Sequence, residues 1–207
     1  MKPLLLIDLD RTVFDSDAFF EFVIATFTGE FSVPQQEIDK HLHLLAVGTA
    51  NQLRYTDFAQ LLKNLKIDSE VFYAHIAQSV TPNQFILADA VPFLEWAHNQ
   101  NEFELGILSF GQPEFQTIKI EISPLVSSLS RMIIMTRKND YIFETFAERQ
   151  GILLDDKPDQ NLPAGWTEIH IDRKADSHKK PLKISEGIWQ ITNLDDAPQV
   201  ILKSLTN

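Results

Sequence analysis

The chain has 207 residues, 44% of them apolar and 23% charged, which suits a folded domain with room for a second small unit and excludes a disordered chain. A formal charge of -11 argues against wrapping nucleic acid through its phosphates, and the absence of cysteine removes disulfides, thiolate metal sites and cysteine nucleophiles. No apolar run approaches the ~20 residues of a membrane span, and the run before Asp8 is too short for a signal peptide, so a cytoplasmic protein with no membrane partner is expected.

Residues 4–7 are a short continuous apolar run ended by Asp8 and Asp10, the pattern of a central parallel strand buried on both faces. From about Asp15 to Ala88 the periodicity turns helical. Phe19, Phe20, Val23, Ile24 and Phe27 form one stripe, Leu42, Leu44, Leu45 and Leu53 contribute to another, and Thr56 with Gln60 opens a third around Phe58, Leu61, Leu62 and Leu65. These segments read as a helical insert. Beyond it, helices are expected over 91–98, 113–120, 141–149 and 197–205, and strands over 103–108, 132–135, 152–154, 168–171 and 188–191. Such alternation predicts an α/β protein with a parallel sheet covered by helices, whose ligands sit at the carboxyl ends of the strands. There is no internal repeat and no low-complexity tract.

Three strand ends carry chemistry: Asp8 and Asp10 after the first strand, Ser109 after 105–108, and Asp155-Asp156 after 152–154. A carboxylate at the end of a buried strand is costly unless its charge is offset, so carboxylates and a hydroxyl at three such ends suggest one shared site for a cation and a phosphate. The basic stretch of Arg173, Lys174, Lys179, Lys180 and Lys183, with His178 and Pro181, reads as a solvated loop; the alternative is a contact to a substrate phosphate. His170 reads as a core-edge histidine. His41 and His43, two apart, fall on different faces of a helix and do not share a metal. The phenylalanines from Phe14 to Phe31 read as core, with the lining of a substrate pocket under a mobile lid as the alternative.

In the segment from Leu4 to Val13, the apolar run followed by Asp8-Leu9-Asp10-Arg11-Thr12 resembles the first motif of the haloacid dehalogenase-like (HAD) superfamily, an apolar strand leading to Asp-x-Asp-x-Thr. Ser109 resembles its second motif, Lys138 its third and Leu153-Leu154-Asp155-Asp156 its fourth, so the likeness spans residues 4 to 156. The resemblance implies a Rossmann-like parallel sheet core over residues 1–14 and 89–207, helices on both faces, and an inserted helical cap over 15–88. It implies a magnesium-dependent phosphatase acting on a small phosphorylated metabolite through an aspartyl-phosphate, as a monomer or a homodimer.

On that reading Asp8 is the nucleophile, and Asp10 protonates the leaving alcohol and then activates water. The family's second aspartate also binds magnesium through its backbone carbonyl. Ser109, with the amides around Gly111 and a helix starting near Pro113, binds the phosphate. Lys138 holds phosphate and Asp8 together by charge, with Lys119 as its rival. Asp156 aligns with the direct magnesium ligand and Asp155 binds directly or through water, with Asp159 further out. Thr12 is expected to hydrogen-bond near the nucleophile loop. Two departures stand out: Arg11 occupies a position that is commonly glycine, and either contacts substrate or points into solvent, and Lys138 is followed by Asn139-Asp140 instead of proline. Asp10 separates the chain from the haloalkanoate dehalogenase branch, whose halide leaves without protonation. A phosphomutase is a less favoured enzyme reading. A HAD-fold binding or regulatory module without turnover, with Arg11 in the substrate's place, is the reading from another class, and the complete motif set argues against it.

Overall fold

The computed structural model describes residues 1–42, 46–48, 54–127, 129, 131–135, 138–158, 161–175 and 180–205, with the backbone alone at 46–48, 54–56, 131–135 and 138–140. Strand β1 (Leu4–Ile7) leads into α1 (Ser16–Gly29), α2 (Gln35–Leu42), β2 (Ala46–Gly48), β3 (Arg54–Thr56), α3 (Phe58–Asn64) and α4 (Ser69–Ser79). The chain continues through α5 (Ala90–His98), β4 (Glu104–Phe110), α6 (Pro113–Glu121), α7 (Pro124–Ser127), β5 (Arg131–Met135) and α8 (Lys138–Phe146). It ends with β6 (Gly151–Asp155), β7 (Trp166–Ile171), β8 (Leu182–Ser185), β9 (Ile188–Ile191) and α9 (Ala197–Leu205).

Seven strands form one sheet in the order β5-β4-β1-β6-β7-β9-β8. All neighbours run parallel except β8, which lies antiparallel on β9 at the edge. Strand β1 is central because its four apolar residues are buried on both faces. Leu5 and Ile7 join the large core with Ile107 and Leu154, while Leu4 and Leu6 point the other way and pack with Leu108, Leu153, Ile142 and Phe146. Its register sets Ile7 against Ile107 of β4 and Leu154 of β6, so the chain leaves β1 and β6 at one level. The α/β sheet read from the alternation is the observed fold, with a short helix at α7 and an edge strand at β8 besides the expected elements.

Between β1 and α5 the described residues make four helices, and a two-stranded antiparallel ribbon, β2 with β3, interrupts the stretch read as wholly helical. Thr56 ends β3, and Asp57 opens α3 instead, accepting from Gln60 N at 2.9 Å. Asp15 and Asp68 cap α1 and α4 in the same way. His43, Leu44, Leu45 and Leu53 lie outside the described residues. The apolar stripes bury Phe27, Phe58 and Phe72 against one another, and the Phe58 ring stacks on Phe115 of α6 at 4.0 Å, seating α3 on the sheet's helical layer. No helix among the described residues is long and apolar enough to cross a membrane.

The basic stretch is not one solvated loop. Leu182 to Ser185 form the exposed edge strand, where Lys183 pairs with Glu186 at 3.1 Å; a short strand carrying lysine suits an unpaired edge. Arg173 is half-buried and bonded to the turn after β1, as described below, whereas His178 and Lys179 lie outside the described residues.

Candidate active site

Asp8 and Asp155 leave the sheet side by side, at the ends of β1 and β6. The amide of Asp8 donates to Leu154 O at 2.8 Å, so the ladder that fixes β1 also fixes the first residue beyond it. Asp8 and Asp155 are buried and Asp156 half-buried, and one oxygen from each of the three carboxylates falls within 4.8 Å of the others. Thr12 Oγ1 donates to Asp8 Oδ2 at 3.1 Å, and Lys157 N donates to Asp155 Oδ1 at 3.0 Å. Three converging carboxylates with no nitrogen or sulfur donor in the set fit a hard divalent cation such as magnesium.

The carboxylate of Asp10 lies outside this cluster and turns toward α6. Lys119 Nζ lies 2.6 Å from its Oδ1, Ser16 Oγ donates to the same oxygen at 2.5 Å, and Gln116 Nε2 donates to Oδ2 at 2.6 Å. Burial pushes the Asp10 carboxyl up, but the charge of Lys119 and the hydrogen bonds from Lys119, Ser16 and Gln116 outweigh it and hold the group below the usual carboxylate value. Lys119 is itself buried, with its ammonium 4.7 Å from the centre of the Phe115 ring. The rival lysine is thus the one found beside Asp10. Lys138 opens α8, and its side chain, like Asp159, lies outside the described residues.

Gly111 makes the Gln116 contact possible. Its φ is +154°, and a Cβ there would stand 2.7 Å from Gln116 Nε2, in the space through which that amide reaches both Phe110 O and Asp10. The Ser109 hydroxyl is fully buried at the end of β4 and finds no hydrogen-bond partner among the described residues. His170 Nε2 sits 3.2 Å from Asp156 O, at the sheet edge of the site and not in the carboxylate cluster.

Arg11 adopts φ +59° where glycine would be at ease, and its side chain is exposed and paired with Asp17 of α1 at 2.6 Å. Arg173, which lies beyond β7, donates to the backbone oxygens of Arg11 and Thr12 and to Asp89. A cavity of about 610 Å³ is lined by Asp10, Arg11, Lys119 and Asp156, and half-buried Phe20, Phe110 and Phe115 supply apolar wall. Of the insert phenylalanines, Phe14, Phe19 and Phe27 are core while Phe20 lines this space. Gln116 and Ser16 are the residues that sequence reasoning missed, and Arg173 was weighed only as a solvated side chain or a phosphate contact. The spacing of three between Gln116 and Lys119, which puts both on one face of α6, was an available signal for the first.

No protein-family model and no curated protein sequence matches the chain. Solved structures do. A haloacid dehalogenase-like protein from Burkholderia xenovorans superposes with a TM-score of 0.70 at 19% identity, covering 99% of this chain and 98% of its own. A HAD-type protein from Bacillus subtilis in a magnesium-bound form gives 0.60 at 14% identity, over 97% and 98% of the two chains. The L-2-haloacid dehalogenase of Xanthobacter autotrophicus gives 0.57 at 17% identity, over 98% and 99%. Matched over nearly their whole lengths to such proteins, these 207 residues have the fold of the haloacid dehalogenase-like hydrolases.

Proposed function

We propose that the chain is a magnesium-dependent phosphatase that hydrolyses a small phosphorylated metabolite through an aspartyl-phosphate on Asp8. The observation that carries this reading is a second carboxylate, Asp10, held apart from the cluster of Asp8, Asp155 and Asp156 and bordering the same cavity as Asp156. A halide leaves without a proton and gives such a group no work, whereas an alkoxide needs one. Asp8, Asp155 and Asp156 would hold the cation, with the backbone carbonyl of Asp10 as a further oxygen donor; the ion supplies charge neutralisation between the nucleophile and the phosphate.

In the first half-reaction a carboxylate oxygen of Asp8 attacks phosphorus, and the bond from phosphorus to the substrate's bridging oxygen breaks. Asp10, protonated as it enters this step, gives its proton to the departing oxygen and is left ionised beside the Lys119 ammonium, 2.6 Å away. In the second, Asp10 is the ionised base its surroundings favour, and it takes a proton from the water that attacks the phosphorus of the aspartyl-phosphate, freeing Asp8. Thr12 holds the Asp8 carboxylate in orientation, and the buried hydroxyl of Ser109 is a donor for a phosphate oxygen. Residues 15–88 act as the cap over the core formed by 1–14 and 89–207, with Phe20 presenting the cap's apolar side to the leaving group. Lys138, at the start of α8, remains a candidate for phosphate contact.

The test is hydrolysis of an aryl phosphate with and without magnesium, with chloride release from a 2-haloacid as the parallel assay. Magnesium-dependent phosphate release is expected, and Asp8→Asn lowers it by more than about 10⁴-fold while the protein stays folded. Chloride release in place of phosphate release would overturn the assignment. The non-catalytic module draws its support from the three donors that engage Asp10 in this conformation. Magnesium-dependent thermal stabilisation without turnover of any phosphate ester would favour it.

A further inference from the structure

We infer that Arg173 is a positioning residue that holds the turn carrying Asp8, Asp10 and Thr12 in a backbone conformation that residue 11, not being glycine, does not favour. The turn is tight: Val13 N and Phe14 N both donate to Leu9 O, at 3.1 and 2.9 Å, and Arg11 N donates to Phe14 O at 2.8 Å. Within it Arg11 sits at φ +59°, the left-handed region where a Cβ crowds the following carbonyl. A glycine would enter this conformation unaided. Here the carbonyls of Arg11 and Thr12 receive the fork of a single guanidinium, Nε to Arg11 O at 2.9 Å and Nη2 to Thr12 O at 2.6 Å.

That guanidinium is aimed from its third nitrogen. Arg173 Nη1 donates to Asp89 Oδ2 at 2.8 Å, and the same oxygen accepts Leu194 N at 2.9 Å, so the carboxylate is fixed from two directions. The pair is half-buried, which keeps it from the full screening of a surface ion pair. The planar, permanently charged fork matters, because a lysine brings one nitrogen where three act. The guanidinium of Arg173 bonds to the backbone of residues 11 and 12 and to Asp89, and it is through that backbone that it acts on the site. Only its catalytic consequence rests on the phosphatase reading.

The experiment compares the native chain, Arg173→Gln, and Arg173→Gln combined with Arg11→Gly, by amide hydrogen exchange and by turnover with magnesium. In Arg173→Gln, exchange at the amides of Arg11, Val13 and Phe14 is expected to speed by about 10-fold or more while that of Leu105 to Leu108 is unchanged, as for a local opening. kcat falls about 10- to 100-fold with KM altered much less, since displaced groups lose attack geometry more than binding. Adding Arg11→Gly restores both at least in part, a rescue that a merely stabilising ion pair with Asp89 would not give. Unchanged exchange at the turn in Arg173→Gln, or no rescue by Arg11→Gly, overturns the inference. If Arg173→Gln does not fold, Arg173→Lys carries the same comparison, since it keeps the charge opposite Asp89 and loses the fork. Absence of turnover in the native chain would count against the phosphatase reading alone, because the exchange measurement still decides the role of Arg173.

Discussion

Asp8 and Asp10 are two residues apart and are held by opposite means. Asp8 inherits its place from the sheet: β1 is flanked by β4 and β6, and the Asp8 amide continues the ladder onto Leu154 O. Asp10 has left the ladder. Its carboxylate is placed by side chains from α1 and α6, and its turn is held by an arginine 162 residues beyond Arg11. A group at a strand end is supported by many backbone bonds, so no single helix substitution moves it far. A group on the turn depends on a handful of side chains, each of which can be removed alone.

The largest effect expected of that difference is on stability. Lys119→Met removes the cation from Asp10 while leaving a half-buried carboxylate behind, a loss of about 2 kcal/mol, which for a chain of this size lowers Tm by roughly 6 °C. The pH dependence gives the sign. Asp10 is held below its ordinary value of 3.8, burial opposing and Lys119 prevailing. Its contribution is therefore complete above about that value and is lost as pH falls through the lower folded-state value. Thermal unfolding of the native chain and Lys119→Met should differ by a constant amount near neutral pH and draw together in acid, the gap closing fully only once pH has fallen below the folded-state value of Asp10. A gap that stays constant through the acid range would mean that Lys119 stabilises by packing on Phe115 and not through Asp10.

A smaller effect on stability, and a larger one on rate, is expected from Gly111→Ala. The added Cβ meets the end of a flexible side chain, Gln116 Nε2 at 2.7 Å, which can move aside, and it also strains the backbone, because φ +154° is a conformation that side chains rarely adopt. Moving that amide breaks its hydrogen bonds to Asp10 and Phe110 O, together about 1–2 kcal/mol. Turnover should fall about 10-fold, with KM nearly unchanged, because the Asp10 carboxylate loses one of the donors that orient it. Steady-state kinetics that leave kcat untouched would place Asp10 under the control of Lys119 and Ser16 alone.

The same division separates what could be read in the sequence from what could not. The buried strand before Asp8, the strand before Asp155 and the alternation between them follow from local runs of apolar residues, and the carboxylates at their ends were legible with them. The partner of Asp10 was not, since Lys119 was read only as a rival to Lys138 for the phosphate, and the packing of α6 onto the strand end puts it on Asp10 instead, while the side chain of Lys138 lies outside the described residues. Arg173 was opaque for a stronger reason. It stands among lysines in a polar stretch, where solvation is the ordinary expectation, and its partners are distant in the chain. The ribbon of β2 and β3 escaped because its strands are three residues long, too short to show a period.

The smallest effect sharpens the comparison most. Arg11 is held twice, its carbonyl by Arg173 from within and its guanidinium by Asp17 from without. The outer pair is short, at 2.6 Å, but its side chains are 62% and 70% exposed, and such pairs contribute about 0.5 kcal/mol or less. Asp17→Asn should therefore shift Tm by no more than about 2 °C and leave the magnesium concentration for half-maximal stabilisation unchanged. A shift as large as that of Arg173→Gln would place the turn's support on its exposed face. The insert would then hold the turn after β1 through α1, and any motion of α1 would be felt directly at that turn.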